Sequence, residues 1–328
     1  MISALWPSGK YRQEHVVLAA FVVFFVLFGV FANGFLTVSN IVVLVRNVSI
    51  LGVLGLGMAI VVIGRGIDLS MISVMAVSGA WAVERITAGA GEWVAVALAL
   101  VFAGLVGVLN GVVIAYGEIS PLLATLASGI LVYGFGRAFL VHLALVSLPK
   151  GGGWFTAIGQ GAVLGVPATI IFFAVMATLV HLYLSATRFG RFTYAMGSNP
   201  KAAWLSGIPF RGMIILEYAL SACIAAIAGL LIASTVTTVN MRIVNSTMIY
   251  DVILVVVLGG IGLSGGTGRV RQVVIGTLLI GVLLNGMTIM DMQYTTQNII
   301  KAVALLSAVV IDSIMNPRDE QTAQQGDI

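Results

Sequence analysis

The chain has 328 residues, of which 60% are hydrophobic and only 9% are charged. An ordinary soluble domain has about 45–50% apolar and 25% charged residues, so the composition excludes a water-soluble fold and indicates many membrane-spanning helices. The net charge of +4 does not indicate nucleic-acid binding, because the basic residues are spread between hydrophobic runs.

Hydropathy predicts an all-α, polytopic transmembrane bundle of about ten spans, each needing about 20 apolar residues. The predicted spans cover residues 16–35, 42–64, 69–87, 93–116, 122–146, 163–184, 213–234, 249–263, 272–290 and 295–312. Glycines and polar residues interrupt the runs over 42–87 and 249–290, which predicts broken helices there. The chain divides into a cytoplasmic N-terminal segment (1–15), a transmembrane domain (16–312) and a cytoplasmic C-terminal tail (313–328) by this prediction. The first run is long and shows no clear cleavage site, so we expect a retained span rather than a signal peptide.

Lysine and arginine predict the orientation of the bundle. With a cytoplasmic N-terminus, the loops on that side hold ten of the 16 basic residues: Lys10, Arg12, Arg65, Arg188, Arg191, Lys201, Arg211, Arg269, Arg271 and Arg318. Such an excess is typical of cytoplasmic loops. We therefore expect a multi-pass protein of the cell (inner) membrane with both termini in the cytoplasm.

Two short motifs occur twice along the chain. Val61–Ser70 reads VVIGRGIDLS and Val256–Ser264 reads VVLGGIGLS, while VLNG at 108–111 is matched by LLNG at 283–286. Many transporters contain two structural repeats with the solute path between them. Short apolar motifs also recur by chance, so both interpretations stay open.

Asp68 lies in the most informative stretch, which begins with GRGIDLS. A carboxylate at membrane depth is costly unless it is paired or faces water, so one interpretation places Asp68 and Ser70 in the translocation path or its gate. The other interpretation, which we favour for Asp68, is a cap on the following helix with Arg65 as a charge partner.

The loop over 188–209 is expected to contain a short helix. Asn199 suits an N-cap, Pro200 the first helical position, and Gly207 the stop after Lys201–Ser206. A helix this short must pack on something to be stable. It is interpreted as a docking element for a cytoplasmic partner, and alternatively as a helix in the lipid interface.

Other polar residues within apolar runs have two interpretations each. Asn110 and Asn285 either join helices or face a hydrated path. Arg46 is interpreted as a break in the second span, Glu217 as an interfacial residue, and Lys301 as a side chain that snorkels.

The sequence indicates no catalytic chemistry, cofactor or metal. GLSGGTGR at 262–269 lacks the Gly-Lys-Ser/Thr ending of a nucleotide-binding loop, and the histidines have no ligand spacing. The chain is therefore not expected to be an enzyme, and its energy must come from elsewhere.

Three segments resemble the membrane permeases of ribose-type (simple sugar) ABC importers. They are GIDLSMISVMAVSG, RFGRFTYAMGSNPKAAWLSGI, and DVILVVVLGGIGLSGGTGRV followed by LLNG. The segments occur in the family's order between about Gly64 and Asp312.

The resemblance implies a partnership with a second permease subunit, ABC ATP-binding subunits and an extracytoplasmic solute-binding protein. It also implies that the following residues belong to the segment that meets the ATPase: Gly197, Asn199, Ala202, Ala203, Ser206 and Gly207. Met71 and Ile72, and the stretch Ser120–Leu123, depart from the family pattern. These departures leave the sugar or other polar solute open.

A stand-alone, ion-coupled secondary transporter is the alternative function. It would need an ionisable relay near the middle of the membrane, for which Asp68 and Lys301 are the candidates.

Overall fold

The computed structural model describes residues 11–149 and 153–315, so most of the predicted N-terminal segment and C-terminal tail lies outside the described residues. Within these ranges the chain forms 13 α-helices and four short strands. The helices are α1 (Tyr11–Phe31), α2 (Val38–Ile63), α3 (Met71–Thr87), α4 (Glu92–Gly117), α5 (Pro121–Phe135), α6 (Trp154–Gln160), α7 (Ala168–Ala186), α8 (Arg188–Ser198), α9 (Pro200–Leu205), α10 (Phe210–Val236), α11 (Met248–Leu258), α12 (Val270–Ile289) and α13 (Tyr294–Met315).

The strands form two small antiparallel pairs outside the helical bundle. β1 (Leu145–Ser147) pairs with β4 (Thr238–Asn240), and β2 (Ala162–Val163) pairs with β3 (Val166–Pro167). The predicted spans over 122–146 and 163–184 therefore extended too far: α5 ends in a π-helical turn at Leu140, and α7 begins only at Ala168.

The predicted all-α, polytopic class is confirmed in its coarse form. Seven helices of the described residues are long and apolar enough to cross a membrane: α1, α2, α4, α5 with its π-helical turn, α7, α10 and α12. The other three predicted spans correspond to α3, with 17 residues, α11, with 11, and α13.

The centre of the bundle is made by α2, α3 and α10, whose side chains are mostly buried. Small residues bring these helices together. A Cβ added at Gly79 of α3 would overlap the backbone of Gly229 in α10, and one at Gly229 would overlap the carbonyl of Met75. Close backbone contact of this kind is typical of packing between membrane helices.

The helix ends gather at two opposite faces. One, named the basic face, is made by the loop over 64–70, Glu118, α8, α9 and residues 262–271; ion pairs join Arg271 to Glu14 at 2.6 Å and Arg211 to Glu118 at 4.0 Å there. The other, named the sheet face, carries α6 and the β1–β4 pair. Seven basic residues of the described chain lie at the basic face: Arg65, Arg188, Arg191, Lys201, Arg211, Arg269 and Arg271.

The two copies of the first sequence echo both end a helix, and they do so with a set of hydrogen bonds that also closes α3, α9 and α12. The pattern is therefore a common helix end and is not specific to the echo. At the end of α2 the backbone N–H groups of Gly64, Arg65 and Gly66 donate to the carbonyls of Ile60, Val62 and Val61. At the end of α11 those of Gly259, Gly260 and Ile261 donate in the same pattern to Val255, Val257 and Val256. The two copies of the second echo do not occupy matching positions. Asn110 lies in α4, the second helix after the end of α2, whereas Asn285 lies in α12, the first helix after the end of α11.

The break expected at Arg46 is wrong, since α2 is continuous from Val38 to Ile63. Its start is capped by Thr37, whose hydroxyl oxygen accepts a hydrogen bond from Asn40 N. Polar side chains on a helix surface do not interrupt its backbone hydrogen bonds, so Arg46 and Asn47 are accommodated within the helix.

Candidate functional site

The segment from α8 to α9, named the coupling segment, lies on the basic face. The side chain of Asn199 accepts a hydrogen bond from Ala202 N at 3.0 Å, Pro200 is the first residue of α9, and Gly207 ends the turn with a φ of 78°. These are the caps that the sequence predicted. α8 was not predicted as a separate helix, although its buried residues Gly190, Thr193 and Gly197 recur at helical spacing.

Backbone contacts clamp the end of α8 onto the bundle. A Cβ at Gly197 would overlap the carbonyl oxygen of Ile63 and the amide of Gly266. Gly266 N in turn donates to Ile63 O at 2.8 Å. The ends of α2 and α8 and the loop before α12 therefore meet at one point, and only glycine fits there.

Two side chains of α8 reinforce this contact. Tyr194 donates its hydroxyl to Gly268 O at 2.7 Å, and Ser198 Oγ lies 3.3 Å from Gly266 O. Burial raises the pKa of Tyr194, against a smaller opposing effect of Arg269, so the hydroxyl stays a hydrogen-bond donor. The coupling segment is thus attached to the loop that leads into α12.

The six residues assigned to ATPase coupling divide into two groups. Gly197 and Ala203 face inwards, with Ala203 packed against Met196 and Met213. Four others are exposed on the surface: Asn199, Ala202, Ser206 and Gly207.

Two exposed apolar residues on α9 were not predicted from the sequence. Trp204 is 68% exposed and Leu205 is 76% exposed, and both flank the buried Ala203–Met196 contact. Their exposure follows from the length of the helix. α9 has six residues and buries only Ala203, so the next two side chains point away from the bundle. Large apolar side chains beside basic residues are typical of a docking site and also of a helix in the lipid interface, so both interpretations of α9 stay open.

Asp68, Ser70 and Asn110 form one buried hydrogen-bond network at the start of α3. Asp68 Oδ1 accepts from Ser70 N at 3.0 Å and from Ser70 Oγ at 2.6 Å, while Asp68 Oδ2 accepts from Ser221 Oγ at 2.8 Å. Asn110 Nδ2 donates to Ser70 Oγ at 2.9 Å. The network therefore joins the loop before α3 to α4 and α10. Asp68 accepts from the N–H of Ser70, the residue before α3, and no described side chain caps the first N–H groups of α3 itself, so the predicted helix cap is not formed.

The loop before α3 is fixed from two further helices. Thr125 of α5 accepts from Leu69 N at 3.0 Å and lies 3.2 Å from Ile67 O. The Tyr218 hydroxyl of α10 lies 3.3 Å from the same carbonyl. Because these groups are buried, the loop has little freedom to move on its own.

Asn285 is not part of this network. It exchanges two hydrogen bonds with Asn40, at 2.9 and 3.1 Å, and so joins α12 to the start of α2 on the sheet side of the bundle. The four candidate path residues thus separate into one cluster of three and one helix-joining pair.

Two other charged residues differ from their predicted positions. Lys301 does not snorkel but forms an ion pair with Asp251 at 2.9 Å near the start of α11. Glu217 is not interfacial: it is buried, because Gly64 has no side chain and the carboxylate occupies that space. Asp68 and Lys301 lie towards opposite faces, so they do not make one relay.

Within the described residues, no group of three or more histidine, cysteine or acidic side chains is placed to hold a metal ion. A small apolar cavity lies between α2 and α11 and is lined by residues such as Met58, Val62 and Ile253. It offers no polar side chain that would bind a sugar hydroxyl.

Comparison with known proteins defines the family. Residues 40–309 match the family described as "Branched-chain amino acid transport system / permease component". The chain belongs to this permease family. It is 31% identical to the ribose import permease protein of Escherichia coli strain K12, covering 92% of this chain and 94% of the relative. The ribose import permease protein of Bacillus subtilis is 33% identical, covering 85% and 86% respectively.

The L-arabinose transport system permease protein of Escherichia coli K12 is also similar, with 32% identity over 93% of this chain and 92% of the relative. No solved structure matches the chain. The predicted resemblance to the permeases of ribose-type ABC importers is confirmed by these relatives.

Proposed function

We propose that the chain is the membrane-spanning subunit of an ABC importer and forms the translocation path for a simple sugar or a related small polar solute. ATP is hydrolysed by separate subunits. The observation that carries the proposal is the coupling segment, which is clamped to the end of α2 and to the loop before α12 yet exposes Trp204 and Leu205. The names of the relatives, which refer to ribose and L-arabinose, favour a pentose or a similar sugar as the solute.

The proposed topology has ten crossings. Successive long helices run alternately between the basic face and the sheet face, with α3, α11 and α13 completing the count. The basic face lies in the cytoplasm, because it carries the excess of lysine and arginine, and both termini lie there too. A solute-binding protein docks on the sheet face outside the cell, and a second permease subunit, identical or paralogous, completes the path.

The proposed mechanism uses the coupling segment as a rigid lever. ATP-driven closure of the ATP-binding subunits displaces α9, and the glycine contacts transmit this displacement to the end of α2 and the start of α12. The network of Asp68, Ser70 and Asn110 holds the start of α3 as a fixed side of the cytoplasmic gate, while Asn285 holds α12 to α2. Selection of the solute is left mostly to the solute-binding protein.

Replacing Trp204 tests the docking surface. Trp204→Ala is expected to weaken binding of the ATP-binding subunit about tenfold or more, because exposed tryptophans dominate many interfaces. Uptake into proteoliposomes should fall in parallel, while the yield of folded permease stays unchanged. Binding of the purified ATP-binding subunit and solute uptake are both measured.

Trp93→Ala is the matched control, since Trp93 is 70% exposed but lies at the start of α4 near the sheet face. It should leave binding of the ATP-binding subunit unchanged. Equal binding by the Trp204→Ala variant and the wild type would contradict docking on α9.

The ion-coupled alternative is not supported by the relatives, which are named as subunits of import systems. Uptake driven by an ion gradient, in proteoliposomes that lack the ATP-binding subunit, would favour that alternative instead.

A further inference from the structure

A second buried polar cluster lies directly beneath the coupling segment. It brings together Tyr183 of α7, Thr193 of α8 and Glu217 of α10, and both Thr193 and Glu217 are buried. The Thr193 side chain is a neighbour of both the Tyr183 hydroxyl and the Glu217 carboxylate. We name these three residues the polar latch.

All three members have an unsatisfied polar atom. Tyr183 OH, Thr193 Oγ1 and Glu217 Oε1 are buried and make no hydrogen bond of normal geometry to any described residue. Each such atom raises the free energy of the state that contains it, because its bonds to water have been lost and not replaced. The other buried atoms of this kind in the described chain are separate side chains such as Ser78 and Thr169.

The cluster also touches the end of α2. The Glu217 carboxylate occupies the space beside Gly64, where any Cβ would overlap it. Four elements therefore meet at the polar latch: α2, α7, α8 and α10. Only α8 among them belongs to the coupling segment, so a small movement of α8 changes the distance from Thr193 to both partners.

We propose that the polar latch closes and opens during the transport cycle, so that Thr193 and Glu217 are positioning residues that couple α8 to α7 and α10. A shift of α8 towards α10 completes the chain of hydrogen bonds from Tyr183 through Thr193 to Glu217. The latch thereby favours one position of the coupling segment over the other, as any interaction made in one state only must do. This inference rests on the proposed function, because it concerns how the importer couples ATP hydrolysis to movement.

Thr193→Val tests the latch with little change of shape. Valine keeps the volume of threonine but removes the hydroxyl that both partners need. The amount of solute taken up per ATP hydrolysed should fall at least about fivefold, because about fivefold is the ratio expected for loss of one ordinary hydrogen bond from one state and valine removes both bonds of Thr193. Thr193→Ser keeps a hydroxyl and should restore the wild-type ratio, which a purely structural role of the methyl group would not predict.

Thr169→Val is the matched control. Thr169 is also buried with an unsatisfied hydroxyl, but it lies at the start of α7, at the opposite end from the latch. Its replacement should leave the ratio of uptake to ATP hydrolysis unchanged. The same ratio in the Thr193→Val and Thr169→Val variants would overturn the proposal.

Glu217 gives an independent measurement. Glu217→Gln keeps a donor and an acceptor and should retain most coupling, whereas Glu217→Leu should lower the ratio as Thr193→Val does. Because both changes remove the same chain of hydrogen bonds, the Thr193→Val/Glu217→Leu double variant should be no worse than the worse single variant. Additive losses would overturn the proposal. If Glu217→Leu is poorly expressed, the comparison of Thr193→Val with Thr193→Ser and Thr169→Val still tests the polar latch.

The outcome is separable from that of the proposed function. If the wild-type permease does not bind or stimulate an ATP-binding subunit, the proposed function fails. If it does both and Thr193→Val keeps the wild-type ratio, only the polar latch is wrong.

Discussion

The junctions that follow α2 and α11 begin alike and are then held in different ways. Both helices end with the same three backbone hydrogen bonds, and both place a residue with positive φ at the same point: Arg65 at 77° and Gly260 at 96°. Beyond that point the α2–α3 junction carries Asp68 and Ser70, whereas the α11–α12 junction carries three further glycines with positive φ.

Hydrogen bonds between side chains hold the first junction, whereas the second is held through its backbone, by the contact at Gly266 and by side chains that donate to the carbonyls of Gly266 and Gly268. The start of α3 is joined to α4, α5 and α10 through Asn110, Thr125 and Ser221. The loop before α12 instead meets Ile63 and the end of α8 through Gly266. A network of buried side chains permits few arrangements, while a glycine loop has a low cost of rearrangement. The two junctions thus show that helices with the same end can be followed by loops that are held in different ways.

Replacing Asp68 should disrupt the α2–α3 junction and cause the largest loss of stability. Asp68→Ala leaves three buried donors without their acceptor, and we expect it to cost about 3–5 kcal/mol of unfolding free energy. Asp68→Asn should cost only about 1 kcal/mol, because the amide oxygen still accepts from Ser70 and the amide nitrogen can donate to Ser221. Thermal unfolding in detergent and solute uptake measure both variants.

The pair of variants also separates a role in the hydrogen-bond network from a role as an ion relay. A role in the network alone predicts that Asp68→Asn retains most of the uptake. Loss of all uptake in a well-folded Asp68→Asn variant would show that the negative charge of Asp68 is itself needed. The α2–α3 junction would then differ from the α11–α12 junction in function as well as in structure.

A side chain at Gly197 should separate α8 from the end of α2 and from the loop before α12. Gly197→Ala places a Cβ against Ile63 O and Gly266 N, and overpacking of this kind is expected to cost about 1–3 kcal/mol. The coupling segment should separate from the bundle, so ATP hydrolysis continues while uptake falls. Uptake and hydrolysis are measured on the same reconstituted complex.

Gly212→Ala is the matched control at the same face. Nothing lies within 4 Å of a Cβ added at Gly212, so the replacement should leave coupling unchanged. If Gly197→Ala also kept full coupling, the contact between α8 and the end of α2 would not transmit movement.

Local signals in the sequence were sufficient to predict the cap of α9 and the positions of most of the long helices. The cap of α9 depends only on Asn199, Pro200 and Gly207, which are close in sequence, and the structure confirms it. Most of the long apolar runs are confirmed as helices, because a run of about 20 apolar residues is a strong signal by itself.

Contacts between residues that are far apart along the chain could not be predicted from the sequence. Glu217 was predicted to be interfacial, but its burial depends on Gly64, which lies in another helix. Lys301 was predicted to snorkel, but it pairs with Asp251, which is 50 residues away along the chain. Neither partner can be identified from spacing, since nothing in a single sequence states which helices are neighbours.

Replacing Gly260 should give the smallest effect and sharpens the comparison most directly. Gly260 has a φ of 96° where the equivalent Arg65 has 77°, so the backbone at the α11–α12 junction is in the left-handed region that favours glycine. Gly260→Ala is expected to cost about 1–2 kcal/mol of unfolding free energy, the usual penalty for a side chain in that conformation. Gly260→Asn should cost less, because asparagine tolerates left-handed angles better than alanine does. Thermal unfolding in detergent measures both. If the Gly260→Ala variant were as stable as the wild type, the loop before α12 would rearrange freely. A loop that rearranges so readily would transmit little of the displacement of the coupling segment to α12.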